Sequence, residues 1–377
     1  MCRSPPHAEI RCDVVGTFGR GRAPWYFTMM EHSGTFTIAA HPLIETRVLR
    51  KWYPVRGSLC SRVRGHVRAV DDVSLGIRRG EVLGLVGESG CGKSTLGRLM
   101  LRLLQPTSGR VLFDGLDVEQ IVAQDVLGFR RRAQIVFQDP YSSLNPRLTV
   151  GSMLREVLHV HGIAPRQDIP ERIAILLRMV GLNDFHARRY PHEFSGGQRQ
   201  RIGIARALAV DPVFLVCDEP VSALDVSIQA QILNLLTELQ QQLTLTYLFI
   251  SHDLSVVQHV SHRIAIMYLG RIVELGEVDR VMNHPLHPYT RMLLDAAPVA
   301  DPRAVRKKPP IVQDMLHPLD LPAGCSFRPR CSSARPECAT YAPSLVSLHD
   351  AHAVSCFLHS EPGTTSPTPA SAGADAP

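Results

Sequence analysis

The sequence lacks the features that mark membrane-spanning and nucleic-acid-binding chains. Its 377 residues contain no apolar run near the roughly 18 residues that suggest a membrane-spanning helix. Any membrane role must therefore come through a partner. No block of Lys and Arg is dense enough to indicate nucleic acid, and the net charge of +6 is mild for this length. We therefore expect no nucleic-acid partner.

An export signal is also missing. Residues 1–28 carry four Arg among Pro and Gly, without the apolar stretch of a signal peptide. Cytoplasm is therefore the expected compartment, and a disulfide framework is not expected for the nine cysteines. We expect residues 1–40 to be disordered or to precede the true start of translation, at Met29 or Met30. The mass of the native N-terminus would test that start.

A glycine-rich loop between a predicted strand and a predicted helix is the strongest signal in the chain. It follows the apolar run 82–86 and consists of Gly87, Glu88, Ser89, Gly90, Cys91, Gly92, Lys93, Ser94 and Thr95. Its glycines let successive N–H groups point into one concavity, to which the helix start adds positive potential. Lys93 is expected to reach the β- and γ-phosphates, and the Ser94 hydroxyl to hold Mg²⁺. Such turns also occur for packing alone, but the Gly-Lys-Ser order favours a nucleoside triphosphate site.

The order of patterns along the chain predicts an α/β fold. Strand patterns at 43–48, 67–77 and 110–113 surround the phosphate loop (residues 87–95) and indicate a small antiparallel subdomain. Residues from about 150 to 208 carry helical patterns without strand signals, which predicts an inserted helical subdomain. Strands then alternate with helices again, at 213–217, 245–250 and 263–268. This alternation predicts a parallel sheet covered on both faces.

Two acids end the apolar run 213–217. Asp218 and Glu219 should lie beside the phosphate loop, because the carboxyl ends of parallel strands share one edge of a sheet. Asp218 is suited to bind Mg²⁺, and Glu219 to polarise the attacking water. A pair of structural capping acids is the alternative interpretation.

A second anion site is predicted at the signature segment, Ser195, Gly196, Gly197 and Gln198. Ser at a helix N-cap, free amides and the helix dipole all favour an anion. Beside a phosphate loop in the same subunit such a site would be redundant. This second anion site would have a function if it binds a nucleotide that is held by a second subunit.

Three further polar residues follow strands or the acidic pair. Gln138 could reach Mg²⁺ or the lytic water, His252 could sense the γ-phosphate, and Asp225, in Ser-Ala-Leu-Asp, could line a subunit junction. Each alone would more often be an ordinary structural residue.

Together these motifs, in unbroken order from about 43 to 289, resemble the ATPase subunit of ABC transporters. The resemblance implies a P-loop ABC ATPase domain over 41–284, with a RecA-like parallel-sheet core, an antiparallel β subdomain and a helical subdomain. It implies ATP and Mg²⁺, with the metal at Ser94, Gln138 and Asp218. It further implies a head-to-tail dimer that holds two ATP between each phosphate loop and the opposing signature segment. Tyr53 would stack on adenine, with Trp52 as the alternative.

Three stretches resemble the oligopeptide/dipeptide importer ATPases in particular: 137–147, 218–231 and 285–290. The one departure is His262, where that group usually has Asp. The resemblance implies a peripheral protein at the cytoplasmic face of the membrane that powers uptake of peptides or similar solutes. Its partners would be two permease subunits, a second and more often different ATPase subunit, and indirectly an extracytoplasmic solute-binding protein. The alternatives are a soluble ABC ATPase acting on ribosomes or DNA, and an exporter subunit.

The last four cysteines, Cys325, Cys331, Cys338 and Cys356, do not have the C-x₂-C spacing of a common zinc site. Residues 324–331 resemble the cysteine-bearing tail of the same importer group, so 285–358 is expected to be the C-terminal extension of that group. Four soft ligands would accept an iron–sulfur cluster or Zn²⁺, and free buried thiols are the third possibility. Residues 359–377, rich in Pro, Ser, Thr, Ala and Gly, are expected to be disordered.

Overall fold

The computed structural model describes residues 41–56, 63–296, 322–348 and 352–359. The expectations for 1–40, for the start of translation and for the tail after His359 lie outside these ranges. Within them, no helix combines the length and the apolar character needed to cross a membrane.

The strands of the described residues are β1 (Ile44–Arg56), β2 (Val63–Ile77), β3 (Val82–Val86), β4 (Ser108–Phe113), β5 (Leu116–Asp117), β6 (Ala133–Val136), β7 (Phe214–Asp218), β8 (Thr246–Ser251), β9 (Arg263–Tyr268), β10 (Arg271–Glu277), β11 (Val346–Ser347) and β12 (Ala353–Val354). The α-helices are α1 (Lys93–Met100), α2 (Val118–Gln124), α3 (Val126–Arg132), α4 (Pro140–Ser143), α5 (Val150–Val160), α6 (Ile169–Met179), α7 (Gly196–Leu208), α8 (Val226–Leu243), α9 (Leu254–Val260), α10 (Val278–Asn283), α11 (Pro288–Ala296) and α12 (Glu337–Thr340). Short 3₁₀ helices span Asp184–Arg188, Pro191–Glu193 and Arg328–Arg330.

The central sheet has the order β11-β12-β10-β9-β3-β8-β7-β6. Its strands β6, β7, β8, β3 and β9 are parallel, which confirms the predicted α/β core. Strand β10 was not predicted, because Glu274 and Gly276 interrupt its apolar residues. It runs antiparallel to β9 and extends the sheet toward the C-terminal strands.

The predicted antiparallel subdomain is the sheet β2-β1-β4-β5. Its first strand is longer than the predicted 43–48, because pairing with β2 continues past Val48 through several register shifts. Val48 has φ 47°, and its N–H donates to Ser74 Oγ at 2.8 Å, which holds this irregular point in place. The longer strand brings Trp52 and Tyr53 into the sheet.

The predicted helical subdomain is present between β6 and β7, where the structure contains helices and no strand. Helix α5 begins after Thr149, whose hydroxyl accepts the Ser152 N–H at 3.3 Å. Its apolar face buries Leu154 and Leu158 against α6, where Ile173 and Leu177 are also buried. This burial, more than helix propensity, stabilises the subdomain.

Buried Glu274 in β10 joins the sheet to the segment that follows it. Its side chain accepts the N–H groups of Leu286 and His287 at 2.8 and 2.9 Å and the Thr290 hydroxyl at 2.5 Å. His352 Nε2 lies 2.8 Å from Glu274 Oε1, the same oxygen that accepts the Leu286 N–H. A buried carboxylate needs such partners, so residues 286–290 and His352 are held to the sheet at one point.

Candidate functional site

The phosphate loop joins fully buried β3 to α1, and its path requires glycine. Gly92 has φ 110°, and a Cβ there would lie 1.9 Å from the Ala69 carbonyl oxygen of β2. At Gly87 a Cβ would lie 2.1 Å from the Met267 carbonyl oxygen. The loop is therefore enclosed by backbone from both sheets, and a side chain at either position would displace it.

The Lys93 side chain folds back into this loop. It is 4% exposed, and its Nζ donates to the carbonyl oxygens of Gly87 at 2.8 Å and Glu88 at 3.0 Å. A buried ammonium needs hydrogen-bond acceptors, which the loop carbonyls provide. The loop therefore places a positive charge inside the concavity formed by its own backbone.

The predicted meeting of the phosphate loop with the acidic pair is present. The Ser94 hydroxyl donates to Asp218 Oδ1 at 2.6 Å, and Arg98 Nη2 lies 4.0 Å from Oδ2. Burial raises the pKa of Asp218, while the hydrogen bond from Ser94 and the charge of Arg98 oppose that rise. Two of the three residues predicted to hold Mg²⁺, Ser94 and Asp218, thus lie side by side.

Glu219 follows with φ 46°, an uncommon backbone conformation for a residue with a side chain. Its N–H donates to the Ile250 carbonyl at 3.0 Å, which ties this turn to β8. The carboxylate accepts Gln138 Nε2 at 2.9 Å and lies 3.4 Å from His252 Nδ1. The ends of β6, β7 and β8 therefore bring together the three residues that the sequence predicted separately.

This group borders a small cavity of about 60 Å³, lined in part by Glu219, Ser222, Ser251 and His252. A cavity of this size has room for ordered water beside polar partners. The Glu219 side chain is 14% exposed and that of His252 is 56% exposed, so the group is open on one side.

The signature segment lies in a different part of the molecule. Ser195 caps α7, since its hydroxyl accepts the Gln198 N–H at 3.3 Å and the Gln198 side chain accepts the Ser195 N–H at 3.1 Å. Gly197 packs so closely that a Cβ would lie 2.4 Å from Ile228 Cγ2. Helix α7 packs on α4, α5, α6, α8 and β6, whereas α1 packs on β1, β2, β7 and β8. Ser195 and Gly196 face solvent.

Asp225 occupies the N-cap position of α8 without a side-chain cap hydrogen bond, and it is exposed. The loop before it is held by Gln229, whose Nε2 donates to the carbonyls of Val221 at 3.1 Å and Leu224 at 2.9 Å. The Asp225 carboxylate is therefore exposed and is not used to cap α8.

The two candidate aromatic residues differ in their surroundings. Trp52 Nε1 donates to Asp71 Oδ1 at 3.2 Å, and the Arg68 guanidinium lies 4.8 Å from its ring centroid. Tyr53 is 37% exposed, Lys51 Nζ lies 5.1 Å from its ring centroid, and it pairs with Val67, two residues before Ala69, which contacts the phosphate loop. Tyr53 is therefore the more exposed of the two rings, while Trp52 is half-buried and hydrogen-bonded to Asp71.

The departure at His262 has a local explanation. His262 Nδ1 accepts the Val82 N–H at 3.0 Å, and its own N–H donates to the Val82 carbonyl at 2.9 Å. The imidazole thus supplies the acceptor that a carboxylate would supply at the start of β3.

Two residues at the phosphate loop were missed by the sequence analysis. Arg330 donates to both carboxylate oxygens of Glu88, at 2.7 and 2.8 Å, and the Tyr289 hydroxyl accepts the Glu88 N–H at 3.0 Å. Both residues fall in stretches that resemble the importer group, but nothing local links them to a loop more than 200 positions earlier.

The late cysteines line a second cavity of about 10 Å³, enclosed by Cys325, Cys331, Cys338 and Cys356 together with Phe327. Burial raises the pKa of Cys325 to about 11 and also raises the pKa values of Cys331 and Cys356. In the parts of the chain that the structure describes, no group of three or more His, Cys, Asp or Glu is arranged to hold a metal ion. The four thiols share one cavity, but their arrangement is not that of a formed metal site.

Comparisons with known proteins agree with this geometry. The family described as "ABC transporter" matches residues 70–222, and the family described as "Oligopeptide/dipeptide transporter, C-terminal region" matches residues 273–338. The oligopeptide transport ATP-binding protein AppF of Bacillus subtilis (strain 168) is 48% identical over 321 residues, covering 84% of this chain and 98% of AppF.

Solved structures show the same fold. The cbiO1 protein of Clostridium perfringens, part of the ABC transporter complex cbiONQ, matches with TM-score 0.56 and 27% identity over 65% of this chain and 92% of its own. The dimeric cassette MJ0796 in a post-hydrolysis state, bound to ADP and Pi, matches with TM-score 0.55 and 28% identity over 62% of this chain and 98% of its own. The chain therefore belongs to the ATP-binding proteins of ABC transporters, in the group that carries the oligopeptide/dipeptide C-terminal region.

Proposed function

We propose that the chain is the ATP-hydrolysing subunit of an importer that takes up oligopeptides, dipeptides or similar small solutes. The observation that carries the ATPase chemistry is the meeting of Gln138, Glu219 and His252 next to the Ser94–Asp218 pair. The peptide assignment is supported by the C-terminal region that matches at 273–338 and by the name of AppF.

The residues of the loop fit ATP. Lys93, which now donates to loop carbonyls, would donate to the β- and γ-phosphate oxygens, and the loop amides would bind the same anion. Ser94, Gln138 and Asp218 would hold Mg²⁺, since hydroxyl, amide and carboxylate oxygens are its preferred ligands. Mg²⁺ supplies charge neutralisation at the phosphates. The exposed Tyr53 ring would stack on the adenine base.

In the hydrolytic step, Glu219 would orient and polarise the water that attacks the γ-phosphate. Gln138 would fix the position of that carboxylate, since its amide already donates to Glu219 Oε2. His252, on the other side of Glu219, would hydrogen-bond the γ-phosphate and register its loss.

A head-to-tail dimer is supported by the exposed signature segment. Residues 195–198 and Asp225 would close on the phosphates bound by a second ATPase subunit, and the resemblance favours a different chain over a second copy. Because the signature segment is satisfied only when the γ-phosphate is present, hydrolysis would reopen the dimer, and this cycle would drive the permease.

The proposed setting is the cytoplasmic face of the membrane, where the chain would contact two permease subunits through the loop after Gln138. An extracytoplasmic solute-binding protein would deliver the peptide to them. Residues 41–284 would form the ATPase domain, 285–358 the importer-type extension and 359–377 the tail.

An iron–sulfur cluster or Zn²⁺ at the four late cysteines stays a hypothesis. The thiol donors suit either metal, but in the described residues they do not have an arrangement that could hold one. Anaerobic purification followed by metal analysis tests it, and the absence of both Fe and Zn would contradict it.

Purification of the full chain from detergent-solubilised membranes tests the transport assignment. We expect two permease proteins and a second ATPase to purify with it. Recovery with ribosomes or DNA as a soluble homodimer would overturn the importer assignment and favour the alternative, and nothing in the comparisons reported above supports that alternative.

A further inference from the structure

Glu88 of the phosphate loop is held at four atoms by three side chains. Arg330 binds both carboxylate oxygens, the Tyr289 hydroxyl accepts the N–H, and Lys93 donates to the carbonyl. Two of these three side chains belong to residues after the last strand of the ATPase core. We propose that Arg330 and Tyr289 are positioning residues for ATP, so that helix α11 and the C-terminal segment (described residues 322–348 and 352–359) are both part of the nucleotide site.

The surroundings of Arg330 restrict its guanidinium to this role. Its side chain is 5% exposed, and the guanidinium lies 5.8 and 5.9 Å from the ring centroids of Tyr268 and Phe327. The hydrogen bonds to Glu88 raise the pKa of Arg330, so the group stays charged. A bidentate pair between planar groups fixes orientation as well as distance.

Tyr289 is equally constrained. It is fully buried, and its ring packs 4.7 Å from Tyr268 and 5.4 Å from Phe327. Phe327 meets Tyr268 edge-on at 5.2 Å. The three rings, from α11, β9 and the C-terminal segment, therefore pack as one aromatic cluster. The Tyr289 hydroxyl at the edge of this cluster is therefore a rigid acceptor for the Glu88 N–H.

Two physical effects connect the contacts of Arg330 and Tyr289 with Glu88 to the binding of ATP. The carboxylate of Glu88 would repel the phosphates of ATP, and Arg330 neutralises it at close range. The same contacts keep residue 88 in the position from which its carbonyl meets Lys93, and phosphate binding depends on the shape of the loop backbone. Loss of these contacts at Glu88 should therefore weaken ATP binding and leave the position of Glu219 unchanged.

ATP affinity of four versions of the full chain tests the inference: wild type, Arg330→Gln, Glu88→Gln and the double variant. We expect Arg330→Gln to raise the Kd for ATP by roughly tenfold to a hundredfold, the fold-change that corresponds to the loss of a hydrogen bond to a charged group. The double variant should regain most of this loss, because it removes the uncompensated carboxylate. Arg328→Gln, on the same 3₁₀ turn but exposed, is the matched control and should bind like wild type.

Further variants keep the test decisive if Arg330→Gln fails to fold. Arg330→Lys keeps the charge but cannot form the bidentate pair with Glu88, and Tyr289→Phe removes only the hydroxyl. Each variant should raise the KM for ATP more than it lowers kcat. Wild-type Kd in every folded variant, or strictly additive effects in the double variant, would overturn the inference. The inference rests on ATP binding at the phosphate loop, and a wild-type chain that fails to bind ATP would contradict the proposed function instead.

Discussion

The strand-end group around Glu219 and the buried group around Glu274 both collect polar side chains at one carboxylate, but in opposite surroundings. At the first, the Glu219 side chain is 14% exposed, that of His252 is 56% exposed, and a cavity lies beside them. At the second, the Glu274 side chain is 0% exposed and accepts hydrogen bonds from backbone and side-chain donors. An open group can exchange its partners for a substrate, whereas a saturated one can only hold the chain together.

The largest effect should come from breaking the open group. Glu219→Gln is expected to lower ATP turnover by roughly 10²–10⁴ while sparing ATP binding, because the amide cannot act as a base for water. Turnover and ATP affinity of the purified transporter measure this. Glu238→Gln, an exposed change on α8, serves as the control. Hydrolysis near the wild-type rate would remove Glu219 from its proposed role.

The buried group should respond in stability instead. Glu274→Ala leaves the donors of Leu286, His287, Thr290 and His352 without their acceptor and should cost about 3–5 kcal/mol of unfolding free energy. Chemical denaturation measures the loss. Glu277→Ala, at the exposed end of the same strand, should change stability little. Equal losses from both changes would show that Glu274 has no special part in holding residues 286–290 and His352 to the sheet.

The two aromatic residues of β1 allow the same comparison between an exposed side chain, Tyr53, and a hydrogen-bonded one, Trp52. Tyr53→Ala should weaken ATP binding by roughly fivefold to a hundredfold, since stacking of a base on an aromatic ring contributes about 1–3 kcal/mol. Binding of inorganic triphosphate, which has no base, should stay unchanged. Trp52→Phe should leave both affinities near wild type. The reverse outcome would assign the base to Trp52.

The smallest expected effect, counted per pH unit, is a pH dependence from His287. Burial, with the nearby charges of His359 and Arg291, lowers its pKa to about 3, so the folded chain holds it neutral. Below its ordinary pKa of about 6.5 the unfolded chain binds a proton that the folded chain does not, so stability is lost as pH falls toward 3. The slope should reach about 1.4 kcal/mol per pH unit. His287→Asn, measured by denaturation at several pH values, should remove that slope.

Prediction from sequence succeeded where a short stretch carries its own physical requirement. The phosphate loop could be recognised because glycine, Lys93 and Ser94 must stand in one order between a strand and a helix. The acidic pair could be placed beside it because parallel strands end at one edge, and the Ser94–Asp218 hydrogen bond agrees with that placement. The roles of Gln138 and His252 in hydrolysis, of Ser195 in binding the opposing nucleotide and of Asp225 at a subunit junction stay predictions.

Prediction failed where a residue depends on partners far along the chain. Strand β10 was missed because Glu274 breaks its apolar pattern, and the partners that make the buried carboxylate acceptable include Leu286, His287 and His352. The length of β1 was underestimated because pairing with β2, rather than local alternation, carries the strand past Val48. Neither feature has a periodic signature of its own.

By itself, the sequence determined the loop, the order of the motifs and the family to which they belong, because these depend on local backbone geometry and spacing. Only the tertiary structure decided that Arg330 and Tyr289 meet Glu88, that four distant cysteines line one cavity, and that Tyr53 is the more open of two aromatics. Such pairings arise when the chain packs, since burial of a charge or a thiol is set by whichever segment covers it.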